Sequence, residues 1–463
     1  MKFRHVGATV KWTGLAGLVY AAWVLWLCTS VTQGQEPTGG DGPPTFTKDV
    51  APILQQRCQS CHRRDQIGPF VLETYEQARK RATDIAVVAE DQSMPPWKPT
   101  AGVGPKLKHD RSLTAREIAV LTAWAEAGAP RGEPEHMPTP ARFPEGWALG
   151  EPDLVLELAE DFKVPASGPD VYRCFVIPTN LPRDVLVSAV EYRPGNRRVV
   201  HHMMAFVDIH GYGRQRDAAE PGPGYTSYSG AGVEIAGDLG GWAAGNEATH
   251  LPDGIGRSLP RGSDVILQIH YHPDGKPEVD RTRLGIHFAR KPVKQTLQWA
   301  HASNNEFRLS PGNPNAEVKA SWFVPVDVEA LAVAPHMHQL GRDFRMTVTY
   351  PDGRRQDLIH IADWDPSWQN TYSFEEPIRL PKGSVVRVVA HYDNSSHARN
   401  PHSPPKLVKW GPEVTDEMCV GYIGVVKAGQ DLTRPGEKDD LFEILVKQHN
   451  KNKLREQSGR RYR

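Results

Sequence analysis

Hydrophobic and polar positions follow three successive patterns along this chain. Between about residues 45 and 132, apolar side chains recur at helical spacing. The clearest stretch starts at Thr114, where Glu117 three residues on completes a capping box flanked by Leu113 and Ile118. Ile118, Leu121 and Ala125 then repeat on one face until Gly128 and Pro130 close the element. From about Gly150 the period shortens to two, in alternating segments such as Val265 to His272 and Val385 to Tyr392, separated by Pro and Gly turns. That texture runs to about Val426, more than one sandwich of roughly 100 residues needs, and predicts two antiparallel β-sandwich lobes. The stretch 429–463 is highly charged and reads as an exposed helix or a disordered tail.

The first residues form another pattern. Lys2, Arg4 and Lys11 precede an apolar run from about Leu15 to Cys28, and Thr32, Gln33 and Gly34 supply a small-residue cleavage site. Residues 1–34 therefore read as a signal peptide, which predicts export to the periplasm or the cell exterior. The run is short of the roughly 20 residues of a membrane span, but left uncleaved it would anchor the chain to the membrane. A lipoprotein signal would want a small residue where Leu27 precedes Cys28. Pro- and Gly-rich stretches at 35–44 and 130–144 separate the blocks. The expected order is a helical domain over 45–132, a Pro-rich linker over 133–149, β lobes over 150–292 and 293–428, and the charged tail.

Composition changes this picture little. With 463 residues the chain has room for three domains, and 41 Gly and 40 Pro favour strands and turns over an all-helical enzyme. Lys plus Arg and Asp plus Glu balance at 55 each, so no net field draws the protein to nucleic acid. Five cysteines would suggest disulfides in an exported chain, but Cys28 leaves with the signal and Cys58 and Cys61 have another use. Cys174 and Cys419 remain, either buried and free or reactive.

Cys58-Gln59-Ser60-Cys61-His62 is the attachment pattern for covalent haem c, with thioether bonds from Cys58 and Cys61 and His62 as an axial iron ligand. A redox CxxC pair or half a zinc site would leave His62 unexplained, and no second CxxC completes four zinc ligands. Met94, followed by two prolines, is the methionine available as the other axial ligand; the alternative is a methionine packed in the core. Together with Asp49-Val50-Ala51-Pro52-Ile53-Leu54, the stretch 45–132 resembles the small class I cytochrome c domains of bacteria. That resemblance implies a small all-α domain with Met94 on the iron.

Histidines of the β region cluster as His201-His202-Met203, His270-Tyr271-His272 and His336-Met337-His338. Residues two apart on a strand share a face, so His336 and His338 can grip one metal, and Gln268, His270 and His272 line one side of another strand. Adjacent His201 and His202 point opposite ways on a regular strand, so both can ligate only where the strand bends or ends. Imidazole clusters suit zinc, copper, iron or nickel, and a thioether partner such as Met418 tilts the choice to copper. A zinc hydrolase would want HExxH or a carboxylate base beside the ligands, and neither is evident.

Residues 150–426 resemble the type II copper, ascorbate-dependent monooxygenases, the group of dopamine β-hydroxylase and peptidylglycine hydroxylating monooxygenase. The matching residues are His201-His202-Met203, Gln268-Ile269-His270-Tyr271, His336-Met337-His338, Met418 and Tyr422, with Tyr172-Arg173-Cys174 and Leu251-Pro252-Asp253-Gly254-Ile255-Gly256. The resemblance implies two jelly-roll-like sandwich lobes and two copper ions. It assigns an electron-transfer copper to His201, His202 and His270, an oxygen-binding copper to His336, His338 and Met418, and substrate-proximal places to Tyr422 and Gln268. It further implies hydroxylation of an aliphatic C–H of a small substrate with O2, with electrons from ascorbate, a quinol or a cytochrome. Ala334 and Val420 stand where peptide-hydroxylating members hold a substrate carboxylate with Arg and Asn, so a peptide C-terminus is not the expected substrate. A non-catalytic copper and haem electron-transfer protein, or a copper-binding protein, is the other reading. His250, His272, His287, His360, His391, His397 and His402 read as packing or surface residues, some of them neighbours of the ligands.

Overall fold

The capping box is formed as the sequence predicts. In this computed structural model, which describes residues 42–448 apart from 65, 67, 144, 145, 229, 244, 245, 247 and 412, Thr114 Oγ1 accepts from Glu117 N, and Glu117 Oε2 accepts from Thr114 N. The helix Ala115–Glu126 buries Leu121 and Trp124, while Gly128 takes a positive φ of 81° that ends it. A helical stretch over 46–58 and the helices Tyr75–Arg79 and Ala82–Glu90 complete a small core around Phe46, Leu54, Leu72, Ile85, Leu121 and Trp124. The proposed signal peptide lies outside the described residues. Among those described, no helix is long and apolar enough to cross a membrane.

Alternation of period two builds the rest, and most of the protein is β-sheet. Two five-stranded sheets pack face to face over one core. One runs Leu154–Glu157, Arg283–Phe288, Val185–Arg193, Ile255–Leu259, Gln295–Thr296; the other runs Tyr225–Thr226, Val171–Pro178, Asp264–Tyr271, Val200–Asp208, Gly237–Ala243. Their neighbours are antiparallel except for the short Gln295–Thr296 pairing. In the second sheet Asp264–Tyr271 is central and buried on both faces, and this fixes where His270 can be.

The C-terminal region departs from the expected pair of sheets. Apart from the short pair Arg308–Leu309 and Val408–Lys409, its strands form one eight-stranded sheet, from Arg355–Ile361 at one edge to Tyr372–Leu380 at the other, curled so that residues of all eight strands share a single core. Alternation alone does not say how many sheets a set of strands divides into, because a curled sheet and a sandwich bury the same alternate positions. Segment 97–108 leaves the helical region and joins this sheet: Trp97 and Leu107 pack on its core, and Lys108 N donates to Ser373 O. The described residues from Pro44 onward cluster as one compact unit. Within the charged tail a helix over 441–448 is anchored by fully buried Leu441 and by Gln448, whose Oε1 accepts from Trp322 Nε1 at 3.0 Å.

Candidate metal and haem centre

The strand Val200–Asp208 solves the adjacent-histidine problem with a bulge. Val200 lies opposite Tyr271 and His202 opposite His270, so His201 is the extra residue and is turned to the same side as His202. Ligand atoms of His201, His202 and His270 lie within 4.8 Å of one another. Nδ1 of His202 is 3.2 Å from Nδ1 of His201 and 3.3 Å from Nδ1 of His270. Two nitrogens about 2.0 Å from one metal at a tetrahedral angle stand about 3.3 Å apart, so this spacing fits a shared ion.

The protonation pattern follows from the neighbours. His270 Nε2 is 2.7 Å from Asp170 Oδ2, and a carboxylate only accepts, so the ring donates there and its Nδ1 lone pair is left to the cluster. Asp170 Oδ1 also receives His272 Nδ1 at 2.8 Å, and Tyr172 stacks on His270 with ring centroids 4.1 Å apart. Burial lowers His201 to about 4 and His202 well below the usual imidazole range, which keeps both rings neutral and able to ligate.

His336 and His338 stand at the end of Val328–His336 with ring centroids 5.2 Å apart. Here the opposite nitrogen is engaged. The Gln369 amide nitrogen donates to Pro366 O, so its Oε1 is an acceptor and takes the His336 Nδ1 proton at 2.5 Å. His338 Nδ1 donates to Asp416 O at 3.1 Å. Both rings therefore keep Nε2 as the free donor atom. Burial lowers His336 to about 3. The paired strand Val420–Lys427 brings Val420 opposite His336, and the residues just before it approach His338. There the buried Glu417 carboxylate accepts from the N–H groups of His338, Leu340 and Met418, and burial pushes it up to about 8. Met418 is buried next to Glu417.

Around the cysteines, His62 Nδ1 donates to Phe70 O at 3.1 Å, leaving Nε2 for iron. Leu72 N donates to His62 O, and Gly68 N to Cys61 O. A Cβ at Gly68 would come within 2.8 Å of His62 Nδ1, so only glycine lets this loop close. Burial pushes the Cys58 thiol up to about 12, the opposite of a reactive redox thiolate. Cys58, Cys61, His62 and Met94 all line one cavity, whose wall is otherwise apolar at Leu72, Ile85, Val88 and Leu121. These residues fit a macrocycle bonded at the two cysteines.

The same cavity, about 1370 Å³, is lined also by His201, His202, His270, His336 and His338. Structure thus brings nearly all the expected ligands to one space. Met418, Tyr422 and Gln268 do not line it. Tyr422 is 6.5 Å from His336 by ring centroids. The Gln268 amide donates to Ser227 O and Gly230 O and holds that loop. Cys174 and Cys419 are fully buried free thiols raised to about 12 by burial. Sequence reasoning missed Asp170, Gln369 and Glu417; only the alternation that placed His270 and His272 on one face hinted that a residue would face them both.

Comparison with known proteins supports the C-terminal part of this site. Residues 319–430 match the family described as "Copper type II ascorbate-dependent monooxygenase, C-terminal domain", a stretch that contains His336, His338 and Met418. No curated protein matches the chain. Among solved structures, infectious bursal disease virus Gx strain aligns at 10% identity over 63% of this chain and 75% of that chain, with a TM-score of 0.19. PNGF-II aligns at 12% identity over 59% and 65%, with a TM-score of 0.23. Neither superposition is close enough to bear on the fold.

Proposed function

We propose that this chain is an exported copper-dependent monooxygenase that receives its electrons through its own haem c. One observation carries the reading: the haem-attachment residues and both histidine groups line a single cavity. The proposed units are a signal peptide over 1–34, a cytochrome c domain over 45–132, copper-binding lobes over 150–292 and 293–428, and the tail. Bound in this cavity, copper would supply dioxygen reduction and C–H hydroxylation of a small substrate, and haem c one-electron delivery.

The chain's own residues prepare the site. Asp170 holds the proton on His270 Nε2, and Gln369 and the Asp416 carbonyl hold protons on Nδ1 of His336 and His338, so each ring offers a fixed nitrogen. Tyr172 fixes the plane of His270 by stacking. Burial keeps His201, His202, His336 and His338 neutral, so no proton has to leave these rings before metal binds. Phe70 and Gly68 hold His62 at the cavity that Met94 also lines.

The test is metal and haem analysis of protein made with haem-attachment machinery, followed by oxygen uptake against a substrate screen. Two coppers and one acid-stable haem per chain, with oxygen uptake matched by hydroxylated product, support the proposal. Copper and haem without oxygen-coupled product would leave an electron-transfer protein instead, and zinc in place of copper would point to a hydrolase.

A further inference from the structure

Behind the haem-attachment segment lies a second cavity of about 1030 Å³ with a different lining. Cys61 and its neighbours line both spaces, and the consecutive residues Gln369 and Asn370 divide them, Gln369 toward the histidines and Asn370 toward this one. Eight lysine and arginine side chains line the second cavity against two carboxylates, Asp110 and Glu191. Glu191 is committed to the backbone N–H groups of Ala148 and Leu149, and Asp110 to Ser112. Arg57 and Arg257 are paired with Glu117 and Asp238. Among the described residues, Arg193 and Arg197 have no carboxylate partner; each guanidinium instead lies over an indole, Trp147 and Trp242 respectively.

The two arginines are held in place. They flank the turn Pro194-Gly195, which is pressed so closely on Arg281 that a Cβ at Gly195 would lie 2.5 Å from the Arg281 nitrogen. Asn196 between them is anchored to Asp280 and Glu278. Burial and the like charges of Arg193 and Arg63 lower the Arg197 pKa, against the opposing pull of Glu191. Asn370 also belongs to this wall, but its side chain is 3% exposed and its amide is sealed in beside the buried Tyr372 hydroxyl.

We infer that this cavity binds a small oxyanion carrying at least two negative charges, gripped by Arg193 and Arg197. Guanidinium forks match the paired oxygens of carboxylates and phosphates, and stacking on Trp147 and Trp242 pre-orients them.

Calorimetric titration of the full, haem-loaded chain with citrate and, separately, with inorganic phosphate tests the inference. One of them should bind with one-to-one stoichiometry, and the tighter of the two identifies carboxylate or phosphate as the natural chemistry. Arg193→Gln and Arg197→Gln should each weaken that binding at least tenfold, whereas Arg290→Gln, an exposed arginine paired with Asp153, should leave it unchanged. Should these variants not fold, Arg193→Lys and Arg197→Lys keep the charge but lose the planar fork, and each should still weaken binding measurably. Absence of binding by both probes, or binding indifferent to these variants, overturns the inference. So does binding that appears only in a Cys58→Ser/Cys61→Ser chain without covalent haem, since the haem itself would then fill the space. Because these readouts need neither copper nor turnover, they stand apart from the monooxygenase reading.

Discussion

The two histidine groups use one side chain in opposite orientations. At His201, His202 and His270 the Nδ1 atoms converge, and the outward Nε2 of His270 is held by a carboxylate. At His336 and His338 Nδ1 is tied to an amide oxygen and a backbone carbonyl, and Nε2 is left free. A charged acceptor makes a ring more basic than a neutral one does, so the first group is built to donate more strongly to its metal. The first group also brings three nitrogens together through a bulge, whereas the second has two histidines and depends on Met418 or another ligand to close its site. The difference teaches that two histidine groups in one cavity can be set apart by the neighbours of the rings as much as by the rings themselves.

Removing a ligand should break the comparison most severely. His270→Ala should abolish metal binding at the first group, with a loss in affinity of about 100-fold or more, while His336 and His338 keep theirs; elemental analysis with a competing chelator reads both. Loss at both together would mean one shared site. Asp170→Asn should weaken the first site by about 10- to 100-fold, because the neutral amide still reaches His270 but no longer holds its proton with a charge. Gln369→Leu is the matching change at the second site and should cost less, about tenfold or under, since the acceptor it removes is neutral. If Gln369→Leu proves the costlier change, the contrast between the two sites is wrong.

Least disruptive should be Thr114→Ala, which removes the helix cap far from both groups. It should lower stability by about 1 kcal/mol in thermal unfolding and leave metal affinity unchanged. Glu117, in the same capping box, gives that helix a pH dependence. Burial opposes its charge, but the Thr114 N–H and Arg57 more than offset this and hold its pKa below the usual carboxylate range. Its contribution is therefore present above the ordinary glutamate range and lost as pH falls through the depressed value. Glu117→Gln should flatten the acid limb of the unfolding curve.

Much of the site was legible because ligands announce themselves by spacing. Cys58, Cys61 and His62 are contiguous, His336 and His338 share a strand face, and the adjacency of His201 and His202 already demanded the irregularity that appears between Val200 and His202. Asp170 was not legible, since it is a single acid 100 residues from His270 and acts only because the strands carrying Tyr172 and His270 pair. Gln369 and Glu417 are hidden for the same reason. At the level of fold, the change of period after Gly150 marks the β region, but nothing local distinguishes two C-terminal sheets from the one curled sheet found. The Leu441 anchor was hidden within a stretch whose charge dominates its composition.

The central claim is that haem and copper would share one cavity so that one can feed the other. Stopped-flow mixing of copper-loaded chain with its haem pre-reduced tests this most directly. The account predicts that Cu(II) at His201, His202 and His270 reoxidises the haem in a first-order step whose rate does not change with protein concentration. A haem that stays reduced, or reoxidation that speeds up in proportion to concentration, would contradict it.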